Sequence, residues 1–171
     1  MRDLTARGLP LHQCTFVPDS EDQFTSDHGW TFPQDAERLR PLIEQVHARG
    51  VRVSLFMDPV PAAMVSAKGV GADRVELYTE SYASAATSQA KKDALSAFAH
   101  TALACHALNL GVNAGHDLNQ HNLTEFLRTV PGIREVSIGH ALIADALELG
   151  YSAAVAAYLR CIHDALPLAT H

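Results

Sequence analysis

The sequence predicts an α/β protein whose strands are parallel. Short apolar segments alternate along the chain with segments of helical spacing, the pattern of parallel strands joined by helical crossovers. Segments such as VSLF (53–56) are apolar on both sides, as in sheets that are covered on both faces. Two architectures fit this alternation, an open doubly wound sheet and part of a (β/α)₈ barrel. GxGxxG and GxxxxGK[ST] phosphate loops are absent from the sequence, which leaves the choice open at this point.

The first half of the chain contains three predicted strands and two predicted helices. In order, they are strand 12–18, helix 35–50, strand 51–58, helix 61–70 and strand 73–79. Pro18 ends the first strand, and Gly50 is a typical stop for the first helix. Pro41 lies inside that helical pattern and predicts either a kink or a later helix start.

The second half continues the same alternation. The predicted elements are helix 81–111, strand 112–115, helix 123–132, strand 134–139 and two closing helices at 140–150 and 152–166. The first of these is long and rich in alanine, and we predict one continuous helix there. Pro131 and Gly132 close the helix before the fifth strand. The whole chain, 1–171, is predicted to be a single domain with a helix after each of five strands.

Composition excludes several classes of partner. The 171 residues have a formal net charge of −6 and no basic run, which argues against nucleic acid. Apolar stretches stay well short of the roughly 20 residues that span a bilayer, and the N-terminus lacks the apolar core of a signal peptide. The three cysteines are widely spaced and odd in number, which predicts reduced thiols in a cytoplasmic protein.

Polar residues follow every predicted strand, and this favours the barrel. In (β/α)₈ barrels the catalytic groups lie at the carboxyl ends of several strands, where the loops meet over one pocket. The residues at the five strand ends are Pro18 and Asp19; Asp58; Glu76, Tyr78, Thr79 and Glu80; Asn113, His116 and Asp117; Gly139 and His140. Gly139 and His140 directly precede a helix, whose free N–H groups and dipole favour an anion. We therefore expect a phosphorylated substrate.

Four of these segments resemble those of one family. VSLFMDP, VELYTESYA, NAGHDLNQHNL and SIGHALIADALELG resemble pyridoxine 5′-phosphate synthase, in the same order, from about Cys14 to about Ala157. The resemblance implies an oligomeric TIM barrel without a metal or organic cofactor. It also implies condensation of 1-deoxy-D-xylulose 5-phosphate with 3-amino-2-oxopropyl phosphate to pyridoxine 5′-phosphate, inorganic phosphate and water.

The resemblance also implies roles for individual residues. His116 matches a histidine that acts as a general acid in ring closure, and Glu76 matches a glutamate that stabilises charge. Thr25 matches a threonine that contacts the deoxyxylulose phosphate. Gly139 and His140 match the pair that holds the phosphate of the aminoketone. Proton transfers of this kind suit histidine and glutamate, which proteins can tune near neutral pH.

The sequence departs from the family pattern at several positions near the site. Asp117 is expected among the substrate-binding residues, where the family has a glycine beside a phosphate. A carboxylate there repels the dianion unless it is turned away or protonated. Glu80 replaces a glycine, Tyr78 replaces a histidine, and Asp19 replaces a glutamate. The five predicted strands correspond to the last five of eight. We therefore expect an incomplete barrel whose first three units have no counterpart before Met1, and a misplaced start and a truly short chain both stay open at this point.

Alternative interpretations remain open at this point. His116, Glu76 and His140 could be structural residues, and His121 is expected to pack the loop under the site. The protein could be a non-catalytic homologue that binds a phosphorylated metabolite or a partner subunit. A third hypothesis is a metal-dependent enzyme whose ligands are His116, Asp117, His121 and His140.

Overall fold

Five parallel strands form one sheet in the computed structural model, which describes residues 10–19 and 25–166. The strands are β1 Gln13–Phe16, β2 Arg52–Met57, β3 Arg74–Tyr78, β4 Gly111–His116 and β5 Ile133–Ile138. The helices are α1 Ala36–His47, α2 Met64–Gly69, α3 Glu80–Ala83, α4 Ser88–Ala107, α5 Leu123–Thr129, α6 His140–Leu149 and α7 Tyr151–Ala165, with a 3₁₀ turn at Pro61–Ala63 before α2.

The strand order distinguishes between the two predicted architectures. Each strand pairs with the next one along the chain, in the order β1-β2-β3-β4-β5, and the order never reverses. A doubly wound sheet needs such a reversal, at which its crossovers change face. With right-handed crossovers throughout, all helices lie on one side of the sheet, as in a barrel. The fold is therefore an incomplete TIM-like barrel of five parallel strands, as predicted.

The two faces of the sheet have different chemistry. The outer face packs against the helices through alternate apolar residues, such as Leu55, Leu77 and Val112, none of which is exposed. The inner face carries polar side chains at the intervening positions, such as Glu76 and Asn113. Among the described residues, no helix is long and apolar enough to cross a membrane.

One helix differs from the prediction. The segment 81–111 is not one helix, because α3 ends at Ala83 and α4 begins at Ser88. Thr87 starts α4 as its N-cap, and its hydroxyl accepts a hydrogen bond from the backbone N–H of Ala90 at 3.1 Å. An alanine-rich composition masked this local stop. In α1, Pro41 lies inside the helix, so no later start occurs there.

Candidate active site

His116 lies at the carboxyl end of β4, and contacts from three elements surround its ring. Its Nε2 is 2.9 Å from Oγ1 of Thr25, in the segment after β1. The ring makes edge-on contacts with Tyr78 on β3 and with His140 at the start of α6, with centroids 5.6 and 6.0 Å away. The backbone of His116 has φ of +88°, a left-handed value that side chains rarely adopt. Such a value at a polar strand end is a recognised mark of functional positions.

Glu76 lies on the inner face of β3, below His116. Its side chain is almost fully buried, and this burial raises the pKa of the carboxyl group. Hydrogen bonds with Ser137 and Thr15 and the nearby His116 act in the opposite direction and lower the pKa. The carboxyl group fits because position 115 is a glycine: a β-carbon there would lie 2.6 Å from Oε1 of Glu76. The carboxyl group of Glu76 is therefore positioned by residues on four strands, β1, β3, β4 and β5.

Two aromatic side chains pack beside the ring of His116. Phe56 and Tyr78 contact each other with ring centroids 5.2 Å apart, and both contact the imidazole. Burial raises the pKa of the Tyr78 hydroxyl, and the surrounding carboxylates raise it further. Those carboxylates belong to Asp117, Glu80, Asp27 and Asp58. Tyr78 therefore stays protonated and can donate a hydrogen bond at neutral pH.

The loop after His116 is held by backbone contacts from polar side chains. Asn122 accepts a hydrogen bond from the N–H of Asn119 at 2.7 Å and donates one to the carbonyl of Asp117 at 3.3 Å. His121, expected to pack under the site, is instead exposed. The two asparagines stabilise the loop, so this expectation for His121 was wrong.

Gly139 is the N-cap of α6, and His140 is its first residue. Both are exposed, and no side chain caps the helix. A β-carbon at position 139 would lie 3.0 Å from the carbonyl oxygen of His116, so β4 and the start of α6 are in close contact. The helix start therefore opens onto the same space as the imidazole of His116.

Most of the sequence matches a known protein family. The model of the family described as "Pyridoxal phosphate biosynthesis protein PdxJ" matches residues 1–164. The chain belongs to this family. Its resemblance to the synthase motifs, found in the sequence, is thereby confirmed.

Several relatives in the PdxJ family are similar to this chain and are named pyridoxine 5′-phosphate synthase. It is 69% identical over 159 residues to "Pyridoxine 5'-phosphate synthase" of Albidiferax ferrireducens, which covers 93% of this chain and 63% of that protein. It is 50% identical over 156 residues to the protein of that name from Xanthomonas campestris pv. campestris strain B100, covering 91% and 61%. The chain thus spans less than two thirds of the length of these relatives.

Solved structures share the fold of this PdxJ family member at low identity. A chain of the Amycolatopsis orientalis BexX/CysO complex matches with a TM-score of 0.54 and 13% identity, over 99% of this chain and 64% of that one. The HMG-CoA lyase of Brucella melitensis matches with a TM-score of 0.51 and 19% identity, over 75% and 49%. These likenesses show a common backbone arrangement only.

Predicted site residues converge on one end of the sheet in this PdxJ homologue. His116 contacts both Thr25 and His140, and it lies close enough to Glu76 to lower the pKa of that carboxyl group. Sequence reasoning missed Ser137 and Thr15 as partners of Glu76 and did not anticipate that Phe56 contacts His116. The alternation of inward and outward residues along β1 and β5 was the available signal. Within 10–19 and 25–166, no three His, Cys, Asp or Glu side chains could hold a metal ion, so the metal-site hypothesis finds no ligand set there.

Proposed function

We propose that this protein is a pyridoxine 5′-phosphate synthase. It condenses 1-deoxy-D-xylulose 5-phosphate with 3-amino-2-oxopropyl phosphate and releases pyridoxine 5′-phosphate, inorganic phosphate and water. The observation that carries the proposal is the convergence of His116, Glu76, Thr25 and His140 in a chain of the PdxJ family. In this proposal the whole chain, 1–171, is a single domain that forms the carboxyl-terminal portion of a (β/α)₈ barrel.

His116 is the general acid in this proposal. Ring closure joins an amine to a ketone and expels hydroxyl groups as water, and each expulsion needs a proton at the departing oxygen. The imidazole faces the space above the sheet and is only partly exposed, with 20% of its side chain accessible. Thr25, at 2.9 Å from Nε2, marks where a substrate oxygen would accept that proton.

Glu76 stabilises positive charge that develops on the nitrogen of the substrate. A buried carboxylate interacts strongly with a nearby cation because little water screens the pair. Its hydrogen bonds with Ser137 and Thr15 preserve a fixed orientation toward the space under His116. Tyr78 packs beside His116 and donates a hydrogen bond in place of the histidine of the family pattern.

Gly139 and His140 bind the phosphate of the aminoketone. The unoccupied N–H groups at the start of the ten-residue helix α6 and its dipole attract an anion. His140 adds a hydrogen-bond donor on the same side as His116. Thr25 contacts the other phosphorylated substrate. We further propose that the protein works in the cytoplasm as a homo-oligomer and needs neither a metal nor an organic cofactor.

Synthesis of pyridoxine 5′-phosphate by purified protein tests this function. Because the chain covers 63% of its Albidiferax ferrireducens relative, we would assay both the chain and a chimaera that adds the uncovered part of that relative. We expect product from the chimaera and a rate of product formation roughly 10²–10⁴-fold lower from the same chimaera with His116→Gln. The unmodified relative is the positive control. If that control is active and a folded chimaera forms no product, the proposed function is wrong.

A further inference from the structure

Asp117 reaches back to the imidazole of the residue before it. Its Oδ2 lies 3.0 Å from Nδ1 of His116, while Nε2 of the same ring lies 2.9 Å from Thr25. The two side chains are partly buried, at 20% exposure for the histidine and 32% for the aspartate. The two nitrogens of one ring therefore have different partners, a carboxylate on one side and a hydroxyl on the other.

Three contacts hold the backbone that carries this carboxylate. The N–H of Asp117 donates to Oγ1 of Thr79 at 3.2 Å, and that hydroxyl donates to the carbonyl of Gly115 at 2.7 Å. On the other side, Asn122 donates to the carbonyl of Asp117 at 3.3 Å. The carboxylate thus projects from a backbone fixed by β3, β4 and the following loop. The carboxylate therefore contacts the ring from a backbone that is hydrogen-bonded on both sides.

The remaining groups around the ring contact it elsewhere. Glu76 lies below it on β3, and Tyr78 and His140 contact it edge-on from β3 and α6. Among the described residues, Asp117 is the only side chain within hydrogen-bond distance of Nδ1. A carboxylate accepts hydrogen bonds only, so the Nδ1 atom that faces it must carry the proton.

We propose that Asp117 is a positioning residue that fixes the tautomer and the ring plane of His116. This inference rests on the proposed function for the identity of the reaction. The imidazolium gives its Nε2 proton to a departing hydroxyl oxygen, and the electrons of that N–H bond stay on Nε2. The C–O bond breaks, its electron pair leaves with the water, and the lone pair of the substrate nitrogen forms a bond to the carbon. The neutral ring keeps its Nδ1–H bonded to Asp117 and presents Nε2 for the next proton.

The proposal also accounts for the departure from the family motif. The family pattern has glycine at this place, and glycine offers no acceptor to the ring. The carboxylate is directed to the imidazole, so its charge is compensated when the ring is protonated. Asp117 is therefore an orienting group that this chain has and the family pattern lacks.

The tautomer of His116 in the purified chain tests the proposal directly. We would record long-range ¹H–¹⁵N spectra of the histidine rings at about pH 8.5, where ordinary histidines are neutral. The His116 signals are assigned by their loss in His116→Gln. In the unmodified chain we expect the Nδ1–H tautomer to dominate by about tenfold, as a charge-assisted hydrogen bond provides.

Two variants remove the acceptor, Asp117→Ala and Asp117→Gly, and the second carries the residue of the family motif. We expect the tenfold preference to fall to near parity in whichever variant keeps the native backbone amide spectrum. Glu80→Gln, which removes a neighbouring carboxylate that faces Tyr78, should leave the tautomer unchanged. An unchanged tautomer in the Asp117 variants, or an Nε2–H tautomer in the unmodified chain, overturns the proposal. Since no substrate is present, a failed synthase assay remains a separate result.

Discussion

The two ends of the strands differ in how their inward polar side chains are paired. At the amino ends, each of the five strands contributes one residue to a single network: Gln13, Arg52, Arg74, Asn113 and Glu135. Glu135 accepts from Arg52 at 2.5 Å and pairs with Arg74 at 2.9 Å. At the carboxyl ends, the imidazole of His140 has an edge-on ring contact and no hydrogen-bond partner within the described residues.

The two ends of the strands therefore differ in how far their polar side chains are paired. Donors and acceptors at the amino ends pair with one another, and two arginines share one carboxylate. The carboxyl ends combine the buried acid Glu76, the residue His116 with a backbone φ of +88°, and the start of α6, which no side chain caps. In barrels the first end serves stability and the second serves chemistry. Variants at the two ends should therefore affect different measurements.

The largest effect should come from His116→Gln at the carboxyl ends. Without a proton donor, we expect product formation by the chimaera to fall by roughly 10²–10⁴-fold, the usual contribution of a general acid. The urea midpoint should change little, because the ring is partly exposed. Glu44→Gln, an exposed change on α1, is the control and should retain the activity. A His116→Gln variant that keeps full activity would remove the histidine from the mechanism.

Gly115→Ala should affect both stability and activity. Its β-carbon would lie 2.6 Å from Oε1 of Glu76 and 2.9 Å from Cβ of Ser137, so the acid must move. We expect a loss of about 1–3 kcal/mol in the free energy of unfolding, typical of overpacking. Gly69→Ala is the control, since nothing lies within 4 Å of its β-carbon position. Equal stability of the two variants would show that Glu76 is not held as described.

Glu135→Gln should cost about 1 kcal/mol of stability, because two arginines lose their shared carboxylate. The side chain of Glu135 is 43% exposed, so solvent screening keeps the effect small. Urea unfolding at low and high salt measures it, and high salt should reduce the difference. A change in the KM for either substrate would contradict the separation of the two ends.

The smallest effect concerns the pH dependence of stability. Burial raises the pKa of Glu76 above its ordinary value of 4.5, so the native state binds more protons than the unfolded chain over the interval between the two values. The contribution of Glu76 is therefore fully present below pH 4.5 and is lost as the pH rises through the raised pKa. In Glu76→Gln this decline should disappear, whereas Glu44→Gln, an exposed change on α1, should preserve it. Parallel stability curves for wild type and Glu76→Gln would refute the assignment.

Most of the architecture could be predicted from the sequence, since the alternation of strands and helices depends on local patterns. The five strands agree with prediction. His116 lies beside Thr25 and His140, and the roles of these residues stay a prediction. The break at 84–87 was missed because alanine favours helix, and one N-cap threonine is a weak signal beside it. The partners of Glu76 and the orientation of Asp117 depend on contacts between distant strands, which no local pattern records.

The left-handed backbone at His116 indicates what the chain gives up for its chemistry. A glycine would adopt φ of +88° without steric strain, whereas a side chain at this angle costs on the order of 1–3 kcal/mol. A sequence optimised only for stability would therefore have glycine at position 116. A histidine at this position lowers conformational stability relative to glycine, and the proposed role of His116 as general acid accounts for that cost.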